Sequence, residues 1–213
     1  MNTAELEEKT NAKSKISCTA FQLFCQRGIK SVSMDDIAQF LSMSKKTIYK
    51  WFVNKNEIVV ASTGAYLQDM QQRCEVYFEK SGNAIEEMFN MMSMTRELFN
   101  QFHPSIFHDL QKYHPEAFKL WMQHRDEYMF VKIKENLERG IKEGLYRKDL
   151  DVEVMSKVRL VQVELPFNPV LFPPHKYDLK RVQMATMEHY MLCLATLKGH
   201  KLINELKHIK EEE

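Results

Sequence analysis

The 213-residue sequence has few of the residues that break helices, with only 6 glycines and 6 prolines. Four of those prolines, Pro166, Pro169, Pro173 and Pro174, fall in one segment, so we expect a loop at residues 166–177. Leucine, lysine, glutamate and 14 methionines are plentiful instead. This balance favours an all-α protein built from long helices over strands joined by turns.

The sequence also lacks the marks of an exported or membrane-bound chain. The four cysteines form no C-x-x-C pair, and the first residues carry neither the basic segment nor the apolar run of a secretory signal. No stretch approaches about 18 uncharged apolar residues, the length that a membrane helix needs. We therefore predict a cytoplasmic protein with reduced thiols and no membrane partner.

Signatures of catalysis and of cofactor binding are missing as well. The eight histidines show no H-E-x-x-H or other close ligand spacing, so no metal site is predicted. Neither a glycine-rich phosphate loop nor a G-x-S-x-G nucleophile turn occurs. We predict no enzyme activity and no cofactor. Because the net charge is only +1, any contact with nucleic acid must come from a local patch of charge.

The amino-terminal part of the chain predicts three closely joined helices after a frayed tail at residues 1–11. Apolar residues recur at helical spacing from Ile16, and Gly28 stands where a left-handed residue would end that helix. Ser33 and Ser44 are placed to cap the second and third helices. Three short helices in this order predict a helix-turn-helix.

A basic segment lies within this predicted motif. Between Asp36 and Glu57 the only charged residues are four lysines, Lys45, Lys46, Lys50 and Lys55. Lys45 and Lys46 open the third predicted helix, residues 44–52, where each charge opposes the helix dipole at a cost of about 0.3–1 kcal/mol. A phosphate held against this helix end removes that cost, because lysines and helix amides then bind the anion together. The segment therefore favours a DNA-binding face over a solvated basic helix.

The order of these residues resembles the signature of the TetR family of transcriptional regulators over residues 12–60. The positions of this pattern are Gly28, Ser33, Ile37, Ala38, Ser42, Met43, Ser44, Tyr49, Phe52 and Lys55, and two of them depart from the family's usual residues. The family usually has glycine and valine in the turn, where this chain has Ser42 and Met43. Lys50 and Trp51 stand where an aromatic residue and a histidine are frequent. The resemblance implies a helix-turn-helix domain at residues 1–54 and a helical effector-binding and dimerisation domain at residues 55–213.

The resemblance also implies a function. It implies a regulator, most simply a repressor, that binds an inverted-repeat operator in double-stranded DNA as a homodimer and is released by a small-molecule effector. By position it assigns phosphate contacts to Ser33, Ser44, Tyr49 and Lys55. It assigns the groove-facing side of the third helix to Lys45, Lys46, Thr47, Lys50 and Trp51, although packing in the small core is an alternative for Trp51. An activator, or a DNA-binding protein without an effector, is the alternative function.

The rest of the chain predicts further helices. A long helix is expected at residues 54–80, followed by helices at 84–101, 104–113, 115–143, 151–165 and 178–198. Pro104 and Pro115 suit the first turns of two of them, because proline lacks the N–H that is unpaired at such a position anyway. The larger domain is therefore predicted to be helical throughout.

Two apolar faces in this domain predict a pocket for the effector. The first carries Met88, Met92 and Phe99, and the second carries Trp121, Met122, Tyr128 and Met129. Methionines adapt to irregular shapes and aromatic rings offer contact area, although plain core packing fits the same pattern. Arg96 and Arg125 fall on these faces by helical spacing. An inward guanidinium needs a carboxylate, supplied either by the protein or by an acidic ligand.

The helices predicted at residues 151–165 and 178–198 are apolar around much of their circumference. A helix of this kind is buried on two sides. Pairing with the same helices of a second copy would bury them in a four-helix bundle, and the resemblance implies this same interface. A helix at the centre of its own domain is the alternative.

Overall fold

The structure, a computed structural model, describes residues 3–208, with side chains from residue 12 onward. Every regular element among these residues is a helix, and the one β-contact is an isolated antiparallel bridge between Tyr146 and Ala195. The predicted all-α class is confirmed. No helix in this range is long and apolar enough to cross a membrane. The tail predicted at residues 1–11 is wrong from Thr3 onward, since that residue begins the first helix; residues 1–2 lie outside the described part.

The helices follow one another with short connections, apart from the segment between residues 168 and 178. Their bounds are α1 Thr3–Arg27, α2 Met34–Phe40, α3 Lys45–Ile48, α4 Lys55–Lys80, α5 Ala84–Phe99, α6 Ile106–Tyr113, α7 Pro115–Gln123, α8 Phe130–Lys142, α9 Val152–Glu164, α10 Leu179–Leu194 and α11 Leu197–Leu206. A 3₁₀-helix at Leu165–Phe167 follows α9. The loop predicted at residues 166–177 is confirmed beyond this short helix.

Two of the predicted long helices are interrupted. The helix predicted at residues 115–143 contains a π-helix at His124–Met129, where the turns are wider, and no proline or glycine in the sequence marks it. The helix predicted at residues 178–198 ends at Leu194. It ends there because Thr196 caps α11, with its hydroxyl accepting a 3.1 Å hydrogen bond from the amide of Gly199.

The chain divides into two compact units. The amino-terminal unit contains the residues up to Gln72 together with Gln101–His124, and the carboxy-terminal unit contains Arg73–Asn100 with the residues from Arg125 onward. α4 therefore runs from one unit into the other, and α6 and α7 belong to the unit that holds α1–α3. The functional boundary between residues 54 and 55 stays a prediction.

The amino-terminal unit packs α1, α2 and α3 around one apolar core. α1 contributes Ile16 and Phe24, α2 contributes Ile37 and α3 contributes Ile48, each with at most 1% of its surface exposed. Burying side chains of this size is worth about 1.5–3 kcal/mol each. This core fixes how α2 and α3 are held, and the backbone of Gly28 ends α1 in the left-handed conformation (φ +79°), as predicted.

The core of the carboxy-terminal unit lies among α5, α8 and α10. Ile85, Leu137 and Met191 are wholly buried there. The hydroxyl of Tyr146 lies 3.2 Å from the carbonyl oxygen of Ala84, to which it donates, so this buried polar group is satisfied. α9 packs against α8 and α10 at the edge of this core.

One face of α9 is both apolar and exposed. Val154, Val158 and Val161 follow one another at about one-turn spacing, and between 38% and 63% of their surfaces is exposed. α10 differs, because Met187 and Leu194 face the core of their own unit and are almost completely buried. The prediction that these helices carry apolar residues on a second side, away from their own core, therefore holds for α9.

Candidate nucleic-acid interface

Ser33 begins α2 through a reciprocal pair of hydrogen bonds. Its hydroxyl accepts a 3.1 Å bond from the amide of Asp36, and its own amide donates a 2.7 Å bond to the Asp36 carboxylate. Such a capping box satisfies two amides that the helix leaves unpaired. The hydroxyl of Ser33 also donates to the Asp36 carboxylate, and this bond together with that of the Ser33 amide holds the pKa of Asp36 below its ordinary value. The predicted cap is confirmed, and the side chain of Ser33 is exposed at the start of α2.

The turn between α2 and α3 is tight because one of its residues is left-handed. Ser42 has a φ of +52°, and the amide of Met43 donates a 2.9 Å bond to the carbonyl of Ala38. A glycine adopts this conformation without steric cost, which explains why glycine is usual at the Ser42 position in the family that the sequence resembles. Ser44 then caps α3, accepting a 3.1 Å bond from the amide of Thr47, as predicted.

The predicted recognition helix is shorter than expected. It was predicted at residues 44–52, but α3 ends at Ile48, because the amides of Lys50 and Trp51 turn to the carbonyls of the third residue before each of them. Lys46, Tyr49 and Lys50 are exposed, whereas Thr47 and Trp51 are half-buried. The hydroxyl of Thr47 also lies 2.8 Å from that of Ser44.

Lys45 has a partner that the sequence did not reveal. Its Nζ lies 2.9 Å from the carboxylate of Asp35 in α2, and this carboxylate raises the pKa of the lysine. Asp35 therefore offsets part of the cost of placing Lys45 at the positive end of a helix. No described residue brings a carboxylate within 4.0 Å of Lys46 or Lys50. Their positive charge is consequently the unpaired charge of this surface.

Lys55 is placed differently from the other lysines. Its side chain is half-buried, and Nζ donates a hydrogen bond to the carbonyl oxygen of Ile29 in the turn between α1 and α2. Burial lowers the pKa of Lys55, while the charges of Asp109 and Asp36 oppose this effect. Lys55 therefore lies at the start of α4 with its ammonium group directed at the helix-turn-helix backbone.

α6 holds the turn that precedes α2. Asp109, at the centre of α6, accepts a 2.9 Å hydrogen bond from the amide of Lys30, and the amide of His103 donates to the carbonyl of Cys25. A Cβ added to Gly28 would clash with the hydroxyl of Ser105. The sequence gives no sign of these contacts, because nothing in the local pattern near residue 109 indicates a partner almost 80 residues earlier.

The comparison with known families agrees with this geometry. Residues 18–61 match the profile described as "Bacterial regulatory proteins, tetR family". These residues form a helix-turn-helix of the TetR family. The protein is a transcriptional regulator with a DNA-binding helix-turn-helix, and the matched segment runs from the middle of α1 into α4.

Similar proteins are regulators too. YdeS of Bacillus subtilis, an uncharacterized HTH-type transcriptional regulator, is 24% identical over 174 residues, which are 74% of this chain and 75% of YdeS. The HTH-type transcriptional repressor KstR2 of Mycobacterium tuberculosis is 25% identical over 145 residues, 65% of this chain and 70% of KstR2. The structure of FadR from Bacillus subtilis in complex with stearoyl-CoA has a TM-score of 0.65 at 18% identity, and covers 85% of this chain and 98% of FadR. The last match shows a shared fold.

The first of the two faces predicted to bind an effector lies on α5. Met88 and Met92 are buried in the core of the carboxy-terminal unit, and Phe99 is half-buried with its ring centroid 5.5 Å from that of Phe167. Arg96 is exposed. The expectation that Arg96 faces inward is therefore wrong, because its long side chain turns to solvent where the charge stays hydrated.

The second predicted face divides between the two units. Trp121 and Met122 lie on α7 in the amino-terminal unit, whereas Tyr128 and Met129 lie in the π-helix of the carboxy-terminal unit. All four are half-buried. The hydroxyl of Tyr128 donates a 2.8 Å hydrogen bond to Glu75. Their part in binding an effector stays a prediction.

Arg125 already has acidic partners within the protein. Its guanidinium lies 2.8 Å from the carboxylate of Asp126 and 3.2 Å from that of Glu164. The pKa of Arg125 is raised by these hydrogen bonds. An anionic ligand is therefore not required to balance Arg125, and because Arg96 is exposed, neither arginine gives a reason to expect an acidic effector at these two positions.

Proposed function

We propose that this regulator is a repressor that binds an inverted-repeat operator as a homodimer and leaves it when a small molecule binds. The observation that carries the proposal is the exposed, unpaired charge of Lys46 and Lys50 on a turn fixed by Ser33 and Ser44. A rigid cationic surface of this kind attracts the phosphate backbone. The name of KstR2 supports repression over activation.

In this proposal α3 and the turn after it enter the major groove. Lys46 and Lys50 donate to guanine O6 and N7 or to phosphates, and the methyl group of Thr47 meets thymine. Lys45 reaches DNA by exchanging its exposed ion pair with Asp35, which costs little because surface pairs contribute about 0–1 kcal/mol. Trp51 is half-buried, and the part that remains exposed is proposed to contribute to this face.

Phosphate contacts are proposed for the residues that flank this surface, Ser33, Ser44, Tyr49 and Lys55. Tyr49 is exposed and has its hydroxyl available. Lys55 must give up its bond to the carbonyl of Ile29 or bind a phosphate with a remaining N–H, since an ammonium group has three donors. Binding of DNA at Lys55 is therefore coupled to the turn between α1 and α2.

The homodimer is proposed to form through the exposed apolar face of α9. Val154, Val158 and Val161 are apolar residues in adjacent turns, and covering them by a second copy removes this surface from water. A twofold homodimer carries two symmetry-related helix-turn-helix surfaces, so the operator should be an inverted repeat. A regulator of this kind acts where the chromosome lies, in the bacterial cytoplasm.

Release by an effector is proposed to act through α4. This helix begins beside the DNA-binding surface and passes from the amino-terminal unit into the carboxy-terminal unit at residues 72 and 73. A ligand that favours a different packing of the carboxy-terminal unit would tilt this helix and change the spacing of the two recognition surfaces. Differential affinity of about 1–3 kcal/mol is typical of such coupling.

The proposal is tested by selecting DNA with the purified protein and measuring its affinity by fluorescence anisotropy at several salt concentrations. Lys55→Ala should weaken binding to all sequences and lower the salt slope by about one phosphate. Lys46→Ala and Thr47→Ala should instead change the base preference. Lys134→Ala, at an exposed lysine of α8, serves as the control.

Unchanged affinity and preference in the first three variants would remove this surface as the DNA reader. A promoter fused to the selected site separates the alternatives, because repression lowers transcription and activation raises it. If sedimentation finds a monomer at micromolar concentration, the homodimer is excluded.

A further inference from the structure

Three buried polar atoms of the carboxy-terminal unit have no hydrogen-bond partner. They are Nη1 of Arg159, Oε1 of Gln162 and Oε1 of Gln183, and no other buried side-chain atom in the described residues lacks one. Only 6% of the surface of Arg159 and 1% of that of Gln183 is exposed. Buried polar groups are ordinarily satisfied, so a cluster of three exceptions on two neighbouring helices requires an explanation.

Arg159 carries a charge that no carboxylate of the described residues balances. Its guanidinium carbon lies instead 5.7 Å from the centroid of the Tyr190 ring. Burial lowers the pKa of Arg159 to about 10, so the side chain stays protonated at neutral pH. Arg125 and Arg139 of the same unit each have two carboxylates. Arg159 thus differs from these two arginines in having no carboxylate partner.

The packing of α9 on α10 places the three unsatisfied groups along one seam. The hydroxyl of Tyr190 donates a 3.1 Å hydrogen bond to the carbonyl of Met155, which fixes the register of the two helices. Gln162 follows Met155 by seven residues, and Gln183 precedes Tyr190 by seven, so both lie about 10.5 Å from that bond toward the connecting loop. Arg159 lies on α9 between Met155 and Gln162.

A second copy of the chain that covers the exposed valines of α9, the valine face, does not reach Arg159. Val158 and Val161 mark the exposed side of α9. Successive helical residues are rotated by about 100°, so Arg159 points about 100° away from Val158 and about 200° away from Val161. A molecule that covers the valine face therefore does not reach the guanidinium, and its counter-charge must come from within the unit.

Water alone does not satisfy the three polar groups and balance the charge of Arg159. A water molecule can donate to the glutamine oxygens, but it leaves the buried positive charge uncompensated, and such a charge is retained in proteins when it is paired. A carboxylate matches the planar guanidinium with two parallel hydrogen bonds. Met155 lies one turn before Arg159, and Met187 lies between Gln183 and Tyr190, so flexible apolar side chains flank the polar cluster.

We infer that Arg159, Gln162 and Gln183 form the polar end of a ligand site that binds the carboxylate of an apolar organic acid, with hydroxyl or water donors on the two glutamine oxygens. This inference rests on the proposed release by an effector and names the chemical class of that effector. It moves the predicted anionic group from Arg96 and Arg125 to Arg159.

Binding is tested on the full chain by thermal shift and calorimetry, with hexanoate and octanoate as ligands and the amides of the same chain lengths as uncharged counterparts. The acids should raise the melting temperature and the amides should not. Arg159→Met should weaken binding of octanoate about ten- to a hundredfold, the effect of losing a charge-assisted pair of hydrogen bonds. Arg96→Met removes an exposed arginine of the same unit and should bind octanoate like the original protein.

The melting temperature without ligand gives a separate test. Arg159→Met should melt at the same temperature as the original chain or a few degrees higher, because an unpaired buried charge is replaced by an apolar side chain. A lower melting temperature would mean that the protein itself satisfies Arg159, and would overturn the inference. Arg159→Lys keeps the positive charge but lacks the two parallel N–H donors of the guanidinium, so this variant should fold and should bind octanoate less tightly than the original chain. Failure of both Arg159 variants to fold overturns the inference too.

Operator release is measured apart from binding. Octanoate that binds through Arg159 without releasing the operator supports the site and contradicts release by this effector. Equal release of the operator from the original protein and from Arg159→Met overturns the site and leaves the effector-released regulator standing. Absence of stabilisation by either acid overturns the inference.

Discussion

The carboxylate of Asp109 accepts a 2.9 Å hydrogen bond from the backbone amide of Lys30, and by this bond α6 holds the turn between α1 and α2. Asp109 is almost completely buried and also accepts from the hydroxyl of Ser105 at 3.2 Å. The bond joins residues 79 positions apart in the chain. It makes the helix-turn-helix depend on a helix from the second half of the sequence.

Asp109→Ala should therefore destabilise the amino-terminal unit. The change leaves the amide of Lys30 without its acceptor at a partly buried position, which costs up to about 1–3 kcal/mol. It also removes a negative charge that favours protonated Lys55. Urea unfolding measures the loss, with Asp69→Ala, at an exposed position of the same unit, as the control. Equal stability of the two variants would contradict the structural importance of this bond.

The sequence predicted the helix caps well because their signals are local. Ser33 and Ser44 lie where helical periodicity begins, and a serine at such a position is typical of a helix cap. Pro115 begins α7 for a similarly local reason. These short-range rules were sufficient to locate the helix-turn-helix, apart from the early end of α3.

The sequence was a poorer guide wherever a side chain has a distant partner. Arg96 and Arg125 each fall by spacing on an apolar stripe of their own helix, yet one is exposed and the other is paired with Glu164. Arg159 stands between Val158 and Leu160 in an apolar run, and the orientation that buries it depends on the neighbouring helices. Periodicity gives a residue's angle around its own helix but not what lies opposite.

Ser42→Gly should stabilise the protein. The residue has a φ of +52°, a conformation that costs a side-chain-bearing residue about 1–2 kcal/mol and glycine nothing. Glycine also gains more freedom in the unfolded chain, so we expect a net gain of up to about 1 kcal/mol. Ser42→Ala keeps the steric cost and is the matched control. Thermal and urea unfolding of both variants compare them, and a glycine variant no more stable than the alanine variant would count against strain at this turn.

The amino-terminal unit should lose stability in mild acid because of His114. Burial lowers the pKa of this residue, and the charge of Lys55 acts in the same direction. The unfolded chain therefore takes up the proton more readily, so stability that is present above about pH 6.5 is lost as the pH falls toward the folded pKa. The loss is at most about 1.4 kcal/mol per pH unit.

The measurement for His114 is the difference between two pH profiles of the free energy of unfolding, one for the original chain and one for His114→Gln. The glutamine variant should have the flatter profile below about pH 6.5. His124, whose pKa is also lowered by burial, remains in both proteins and cancels. Parallel profiles would show that the imidazole of His114 does not contribute.

Val161→Glu should convert the proposed homodimer into a monomer. Val161 is 63% exposed in the single chain, so the carboxylate stays hydrated there and the fold should keep its melting temperature. In a twofold interface the same carboxylate is buried in both copies without a partner, which costs several kcal/mol and should raise the dimer dissociation constant at least about a hundredfold. Val76→Glu, at a half-exposed valine of α4 in the same unit, is the matched control and should remain a dimer.

Sedimentation gives the molecular mass of Val161→Glu, and anisotropy gives its affinity for the operator. We expect the mass and the affinity to fall together, because one helix-turn-helix alone contacts only a half-site. A variant that stays dimeric with unchanged affinity would place the interface elsewhere than on α9.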